Sequence, residues 1–390
     1  MSLRWPGIDG GVLLVAGGGL CLLQAVRQVE AMYLPVAIVC ATIGLYLYAT
    51  RLLRSHALGG RSWRGSHRGF RAGYLAYFWV LKRLGRRPVQ WALVPLVGFY
   101  WLFLGAQQPG LDAYLRRRFP EADPILRARY RFRILLNFAW SLVDRVHAMI
   151  SGGSDLELDH SAVTDIKEVV HAEESPSREG FLMLSGHIGN PDLAGVLLGE
   201  QARRINILLY RGPNDPFFDV LEEAMGERAP HFIAVNDGVQ MASLEAVKAM
   251  QRGEVVAAKG DRVVDERFAV VPFMGGMIRV PTGPFLLAAM AKTPVLFTGC
   301  FKTGPSTYRF EVSGPHRFEF TSRKTRDADL ARWAAQWAEV MESWVVDYPL
   351  QWYNFFDLWD HPDGSPSHDP LTLRVHPDST ASTPPGPGPR

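Results

Sequence analysis

The sequence predicts an α/β fold, a mainly parallel sheet flanked by helices, with transmembrane helices at the N-terminus. From about residue 178, short apolar runs alternate with longer periodic segments, the pattern of strands joined by crossover helices. Two long uncharged runs stand before that region. The composition, 47% hydrophobic with 11 Trp and 21 Phe, excludes a mainly disordered chain. At 390 residues the chain exceeds a single small core, so a large domain with appendages is expected.

Gly10–Val26 gives 17 consecutive uncharged residues and Ala31–Thr50 gives 20. A bilayer core of about 30 Å takes roughly 17–25 such residues in a helix. The second run is the stronger, with Tyr33, Tyr46 and Tyr48 where interfacial aromatics belong. The first carries Gly17, Gly18, Gly19 and Gln24, so one span or two both stand. A cleaved signal peptide is the competing reading. Against it are the lone Arg4, Asp9 directly before the apolar run, and the second run that follows so closely.

The formal net charge of +3 is unevenly spread. Ala31–Leu111 has no acidic residue but ten basic ones, from Arg51 to Arg87; elsewhere 32 basic residues face 39 acidic. By the positive-inside rule, a basic block directly after the second run puts everything beyond residue 50 in the cytoplasm. The block is interleaved with Phe70, Tyr74, Tyr77, Phe78 and Trp79, which favours an anionic membrane surface over nucleic acid. The expected organisation is a membrane anchor over 1–50 and a basic, membrane-associated helical region over 51–150. Within the latter, Trp91–Ala106 is short for a span and carries Pro95, so it reads as a buried or interfacial helix. Residues 125–150 read as an amphipathic helix, with Tyr130, Ile134, Phe138, Leu142 and Val146 at every fourth position.

The main domain is expected over 151–360. Strands are predicted at 181–186, 205–210, 232–235, 255–258, 268–271 and 295–299. Helices are predicted at 192–203, 216–227, 239–252, 283–292 and 326–347. Residues 361–390, rich in Pro, Ser, Asp and Gly, read as a disordered tail. Only Cys21, Cys40 and Cys300 occur, which excludes a disulfide framework or a cysteine zinc site and suits a reducing compartment.

The most informative stretch is Phe181–Leu193, FLMLSGHIGNPDL. An apolar strand ends in Ser185-Gly186, then His187, a glycine turn, and Pro191-Asp192 opening a helix. This places an imidazole at the C-terminal lip of a strand, where α/β sheets bind ligands. Five residues on, the Asp192 carboxylate could fix the tautomer and support charge on the ring, making a general-base pair for a hydroxyl. His160 and Asp165 share the spacing but lie in a polar segment without a leading strand, so His160 reads as a surface histidine. A hydrogen-bonded loop histidine is the plain alternative for His187.

Other strand ends supply Tyr210-Arg211 with Asn214 close behind, and Lys259-Gly260-Asp261-Arg262. Arg211 and Arg262 on the same rim would suit an anionic group such as a phosphate. Pairing with a neighbouring acid, Arg262 with Asp265 for example, explains them as well. The Val280–Pro284 turn, with Gly283 at the helix start, could aim backbone N–H groups at an anion, or be a turn alone.

Taken in order, GFLMLSGHIGNPDLAG, INILLYRGPND, GEVVAAKGDR, AVVPFMGG and VPTGPFLLAAMAKTPVLF resemble the lipid A biosynthesis acyltransferases of the lauroyl/myristoyl type. That family lies within the lysophospholipid acyltransferase superfamily, marked by a His-x4-Asp/Glu motif. The likeness covers about 120–360, and QWYNFFDLW at 351–359 resembles the family's closing segment. The early RGSHRGFRAGY and LVPLVGFYW look more like a subgroup acting in other lipid or polyene pathways. Pro191, where many relatives have an aromatic, and the second N-terminal run depart from the pattern and leave the acceptor open.

The resemblance implies a glycerol-3-phosphate acyltransferase-like fold in a protein of the inner membrane, its catalytic domain facing the cytoplasm. It implies transfer of a fatty acyl chain from acyl carrier protein or acyl-CoA to a hydroxyl of a membrane lipid acceptor, such as a lipid A precursor. His187 would be the base and Asp192 its orienting acid. Arg211, Asn214, Asp261, Arg262 and Gly283 would hold substrate. No cofactor and no metal are implied. Two rival readings stand beside this one: the same chemistry on another glycolipid, an ornithine-type lipid or a polyene, and a non-catalytic lipid-binding protein of the same fold.

Overall fold

The computed structural model describes residues 71–104, 109–159, 161, 179–197, 204–211, 216–263 and 267–359. The predicted spans within 1–50, the basic residues up to 70, His160 with Asp165, and the tail from 361 lie outside the described residues. Among the described residues, no helix is long and apolar enough to cross a membrane.

Four helices come first: α1 (Arg71–Leu84), α2 (Arg86–Leu104), α3 (Pro109–Arg118) and α4 (Pro124–Ser151). Asp123 caps α4 by accepting the Leu126 N–H at 2.7 Å, Pro124 fits the first turn, and Gly152 ends the helix in the left-handed region. The predicted 125–150 helix is therefore present in full. It buries Ile134, Val143, Val146 and Ile150.

The alternating region then builds a sheet of β1 (Glu157–Asp159), β2 (Phe181–Ser185), β3 (Ile205–Leu209), β4 (His231–Ala234), β5 (Val255–Lys259), β8 (Val295–Lys302) and β9 (Thr307–His316). Its order is β1-β9-β8-β2-β5-β3-β4. All neighbours pair in parallel except β8 with β9. β2 is buried at all five positions, as a central parallel strand covered on both faces must be. The crossovers and flanks are α5 (Pro191–Leu197), α6 (Pro216–Met225), α7 (Val239–Gln251), α8 (Gly283–Ala291) and α9 (Arg326–Asp347).

The predicted strand at 268–271 differs in its partner. β6 (Phe268–Phe273) leaves the main sheet and forms an antiparallel hairpin with β7 (Gly276–Pro281). Met274 and Gly275 both take positive φ, 49° and 70°, which is what a tight two-residue hairpin turn requires. One continuous core joins α2, α3 and α4, through Val97, Leu111, Tyr114 and Ile134, to Leu184, Phe297, Trp337 and Trp352 of the sheet side.

Candidate active site

β2 and β5 pair in parallel with Ser185 opposite Lys259, so Gly186-His187 and Gly260-Asp261 leave adjacent strands at the same level. The Gly260 N–H donates to the Ser185 carbonyl at 2.8 Å, which carries the alignment one residue past the strands. Because Gly186 has no Cβ, the Asp261 carboxylate can settle against the His187 backbone. It accepts the His187 N–H at 2.6 Å on Oδ2 and contacts the ring Nδ1 at 2.8 Å on Oδ1.

Asp261 is buried, with 1% of its surface exposed. Burial alone would push its pKa up, but His187 and Arg262 outweigh that and hold it below the ordinary carboxylate range. An ionised Asp261 requires a proton on His187 Nδ1, which leaves Nε2 with its lone pair. The imidazole is pulled below its usual pKa, first by burial, with Asp261 opposing and Arg262 and Lys259 assisting. A neutral ring with a free lone pair at Nε2 is a general base at neutral pH.

The partner expected from the His-x4-Asp spacing is placed differently. Asp192, second residue of α5, accepts from Arg145 of α4 at 2.6 Å and from Lys259 at 3.0 Å. Burial would raise its pKa, but Lys259 and Arg145 hold it well below the ordinary range. The spacing alone does not decide which carboxylate reaches the ring. The helix start turns Asp192 toward α4 and the end of β5, whereas Asp261 lies alongside His187 on the next strand. Asp192 thus ties α5, α4 and β5 together beside the ring.

The segment after α9 closes the site from the other side. The Tyr353 N–H donates to the His187 carbonyl at 2.8 Å and the Gly189 N–H to the Gln351 carbonyl at 2.9 Å, with Ile188 bridged to Trp352. Gly189 sits at φ 62°, and a β-carbon there would collide with the Cys300 carbonyl, so this turn requires glycine. Trp352 is wedged between Tyr114 and Phe273, stacked on both. Asn354, fully buried, donates Nδ2 to Asp261 Oδ2 at 2.9 Å and accepts Arg262 Nε at 3.0 Å on its own Oδ1. Arg262 also reaches the Tyr353 carbonyl at 3.4 Å and lies 5.1 Å over the Phe356 ring. Arg262 is thus part of the constellation through Asn354; Asp265, the neighbour suggested by the sequence, lies outside the described residues.

Arg211 follows β3 on the same rim, but its guanidinium is engaged by Asp219, with Glu222 at 3.9 Å. Gly283 is the first residue of α8, where a β-carbon would meet open space. Asn214 lies outside the described residues. Sequence reasoning missed Lys259 and Arg145, the partners of Asp192, and Asn354, the second donor to Asp261. The nearest signal for Asn354 was its place within QWYNFFDLW.

Comparison with curated proteins finds no match. The family model for bacterial lipid A biosynthesis acyltransferases matches residues 141–361, more than half of the chain, and takes in His187, Asp192, Asp261, Arg262 and Asn354. The chain belongs to that family, and it is an acyltransferase.

Proposed function

We propose that this acyltransferase moves a fatty acyl chain from a thioester, on acyl carrier protein or coenzyme A, to a hydroxyl of a membrane glycolipid such as a lipid A precursor. The observation that carries the reading is the Asp261–His187 hydrogen bond, which leaves Nε2 as the basic nitrogen. His187 Nε2 takes the proton of the acceptor hydroxyl as its oxygen attacks the thioester carbonyl. An ester C–O bond forms, the C–S bond breaks, and the departing thiolate takes the proton back from the imidazolium. Asp261 holds the ring and supports its transient charge, as a buried carboxylate does in hydrolytic triads. General-base assistance contributes typically 10²–10⁴-fold, or about 3–5 kcal/mol of barrier.

Asp192, Lys259 and Arg145 form a charged neighbour to the base, and Arg262 with Asn354 fixes its carboxylate. The reading places the protein at the inner membrane with this site on the cytoplasmic side, held by the uncharged runs 10–26 and 31–50 and the basic block after them. The test is to incubate membranes carrying the protein with labelled acyl carrier protein or acyl-CoA and to identify the labelled lipid by mass spectrometry. One lipid class should gain an acyl chain with the native protein and none with His187→Ala. Equal labelling by the two proteins would refute the assignment of the base.

A further inference from the structure

The helical layer α2–α4 carries an apolar face turned away from the core. On α2, Trp91, Pro95 and Leu102 recur at helical spacing and are exposed, Trp91 by 69% and Leu102 by 66%. After Arg87 the helix has no charged residue. α4 runs antiparallel beside it: Trp101 Nε1 donates to the Ala128 carbonyl at 3.1 Å, and Trp140 Nε1 to the Gln90 carbonyl at 3.0 Å. That alignment sets the exposed Ile125, Arg129 and Arg133 of α4 alongside the Leu102 half of the stripe. Neither Arg86–Leu104 nor the outward side of α4 at 125, 129 and 133 offers an acidic residue.

Large apolar side chains this exposed are costly in water, and tryptophan rimmed by arginine is the composition favoured at the boundary of headgroups and acyl chains. We infer that the outward face of α2 and the N-terminal half of α4 lies on an anionic lipid bilayer, with Trp91, Leu102 and Ile125 entering the headgroup–acyl boundary and Arg129 and Arg133 facing lipid phosphate. Charge selects the occupant: the face is apolar and cationic, and a bilayer surface is apolar beneath and anionic above. α2 lies along the protein and does not pierce the membrane. Its first turn is pinned by Arg86, whose guanidinium binds the buried Asp144 at 3.1 Å and Asp155 at 2.7 Å.

The opposite side of α4 touches the active site. Phe138 packs on Tyr353 and Phe355, Ser141 accepts from Asn190, and Arg145 binds Asp192. The next helix, α3, sets its second residue, Gly110, against the backbone of Phe356, a residue 43% exposed whose ring covers Arg262. Under the acyltransferase reading, on which this last step rests, a lipid resting on the face would meet the site rim at Phe356.

The test uses the full chain reconstituted in vesicles of equal parts phosphatidylcholine and phosphatidylglycerol. Cys21 and Cys40 are replaced by serine, the buried Cys300 is kept, and a nitroxide is attached at Trp91→Cys, Leu102→Cys or Ile125→Cys. Met241→Cys and Met290→Cys, also highly exposed positions, serve as controls. Labels at 91, 102 and 125 should collide with oxygen and be shielded from a water-soluble nickel complex, while the controls stay open to nickel. In the Arg129→Glu/Arg133→Glu protein, shielding at 102 and 125 should be lost. Nickel access equal to that of the controls would overturn the inference. So would shielding that appears in lipid-free detergent and grows with protein concentration, since that would assign the face to a second copy. Acyl transfer by the labelled proteins is read separately, so a failed assay with shielded labels would count against the enzymatic reading alone.

Discussion

Asn354 donates its amide to the same Asp261 oxygen that takes the His187 backbone N–H, at 2.9 Å and 2.6 Å. The other oxygen is thereby left for the imidazole. The carboxylate is held on two sides, by the histidine loop and by the closing segment, so its orientation does not depend on the His187 side chain.

Two substitutions separate orientation from packing. Asp261→Asn should lower kcat by about 10³–10⁴, the scale seen when an orienting carboxylate becomes an amide and the ring tautomer is lost. Asn354→Leu removes one hydrogen bond to a charged acceptor, about 1.5–3 kcal/mol, so kcat should fall roughly 10–100-fold with KM little changed. Initial rates with saturating donor check both. A loss for Asn354→Leu confined to KM would contradict a role through Asp261.

Asp192→Asn should behave differently. It leaves Lys259 and Arg145 without their shared carboxylate, each side chain being less than one-third exposed. The expected cost is about 1–3 kcal/mol of stability, seen as an earlier urea midpoint, because two partly buried cations face one another. Activity should fall less than for Asp261→Asn. If the order of the two kcat losses were reversed, the base would be oriented by the motif carboxylate in the working enzyme.

The pH dependence follows from three groups. His187 is held below its ordinary value near 6.5 by burial, so the rate should stay level through about pH 6.5 and fall only at lower pH. Because the folded pKa is the lower one, the unfolded chain binds more protons between the two values, and stability declines as pH falls through that window. Asp261 and Asp192 are also depressed, so their contribution is complete above about pH 4 and is lost as pH falls further. Denaturant midpoints across pH 3–7 measure this, and a midpoint rising toward low pH would contradict it.

The alternation of apolar strands and periodic helices was legible because a parallel sheet buried on both faces leaves continuous apolar runs such as Phe181–Leu184. Strand β9, between β1 and β8, was less so, though Tyr308 and Phe310 alternate inward as a half-buried strand should. The destination of β6 was invisible, since residues 268–271 look the same whether they join the sheet or a hairpin. At the site, His187 was legible from its strand–glycine–helix setting. Its partner was not: spacing along the chain pointed to Asp192, while Asp261 comes near through the register of β2 and β5, 74 residues away. Asn354 arrives from 93 residues beyond Asp261, which no local pattern encodes.

The buried charges of the helical layer offer a test of how that layer is held to the sheet. Asp144, with none of its surface exposed, accepts from Arg86 at 3.1 Å, Gln90 at 2.7 Å, the Tyr308 hydroxyl at 2.6 Å and Lys302. These partners come from α2, β8 and β9, so one carboxylate joins two helices to the antiparallel β8–β9 pair of the sheet. Asp144→Ala should cost about 3–5 kcal/mol, because the partly buried Lys302 would lose its counter-charge and the buried Arg86 would keep only the half-exposed Asp155. Asp155→Ala, at a position 46% exposed, should cost about 1 kcal/mol or less, although it also contacts Arg86. Combining Asp144→Ala with Arg86→Ala should be clearly less than additive, since the second change removes one charge that the first stranded. Urea unfolding of the four proteins gives the cycle, and strict additivity would show that the two side chains do not share their burial cost.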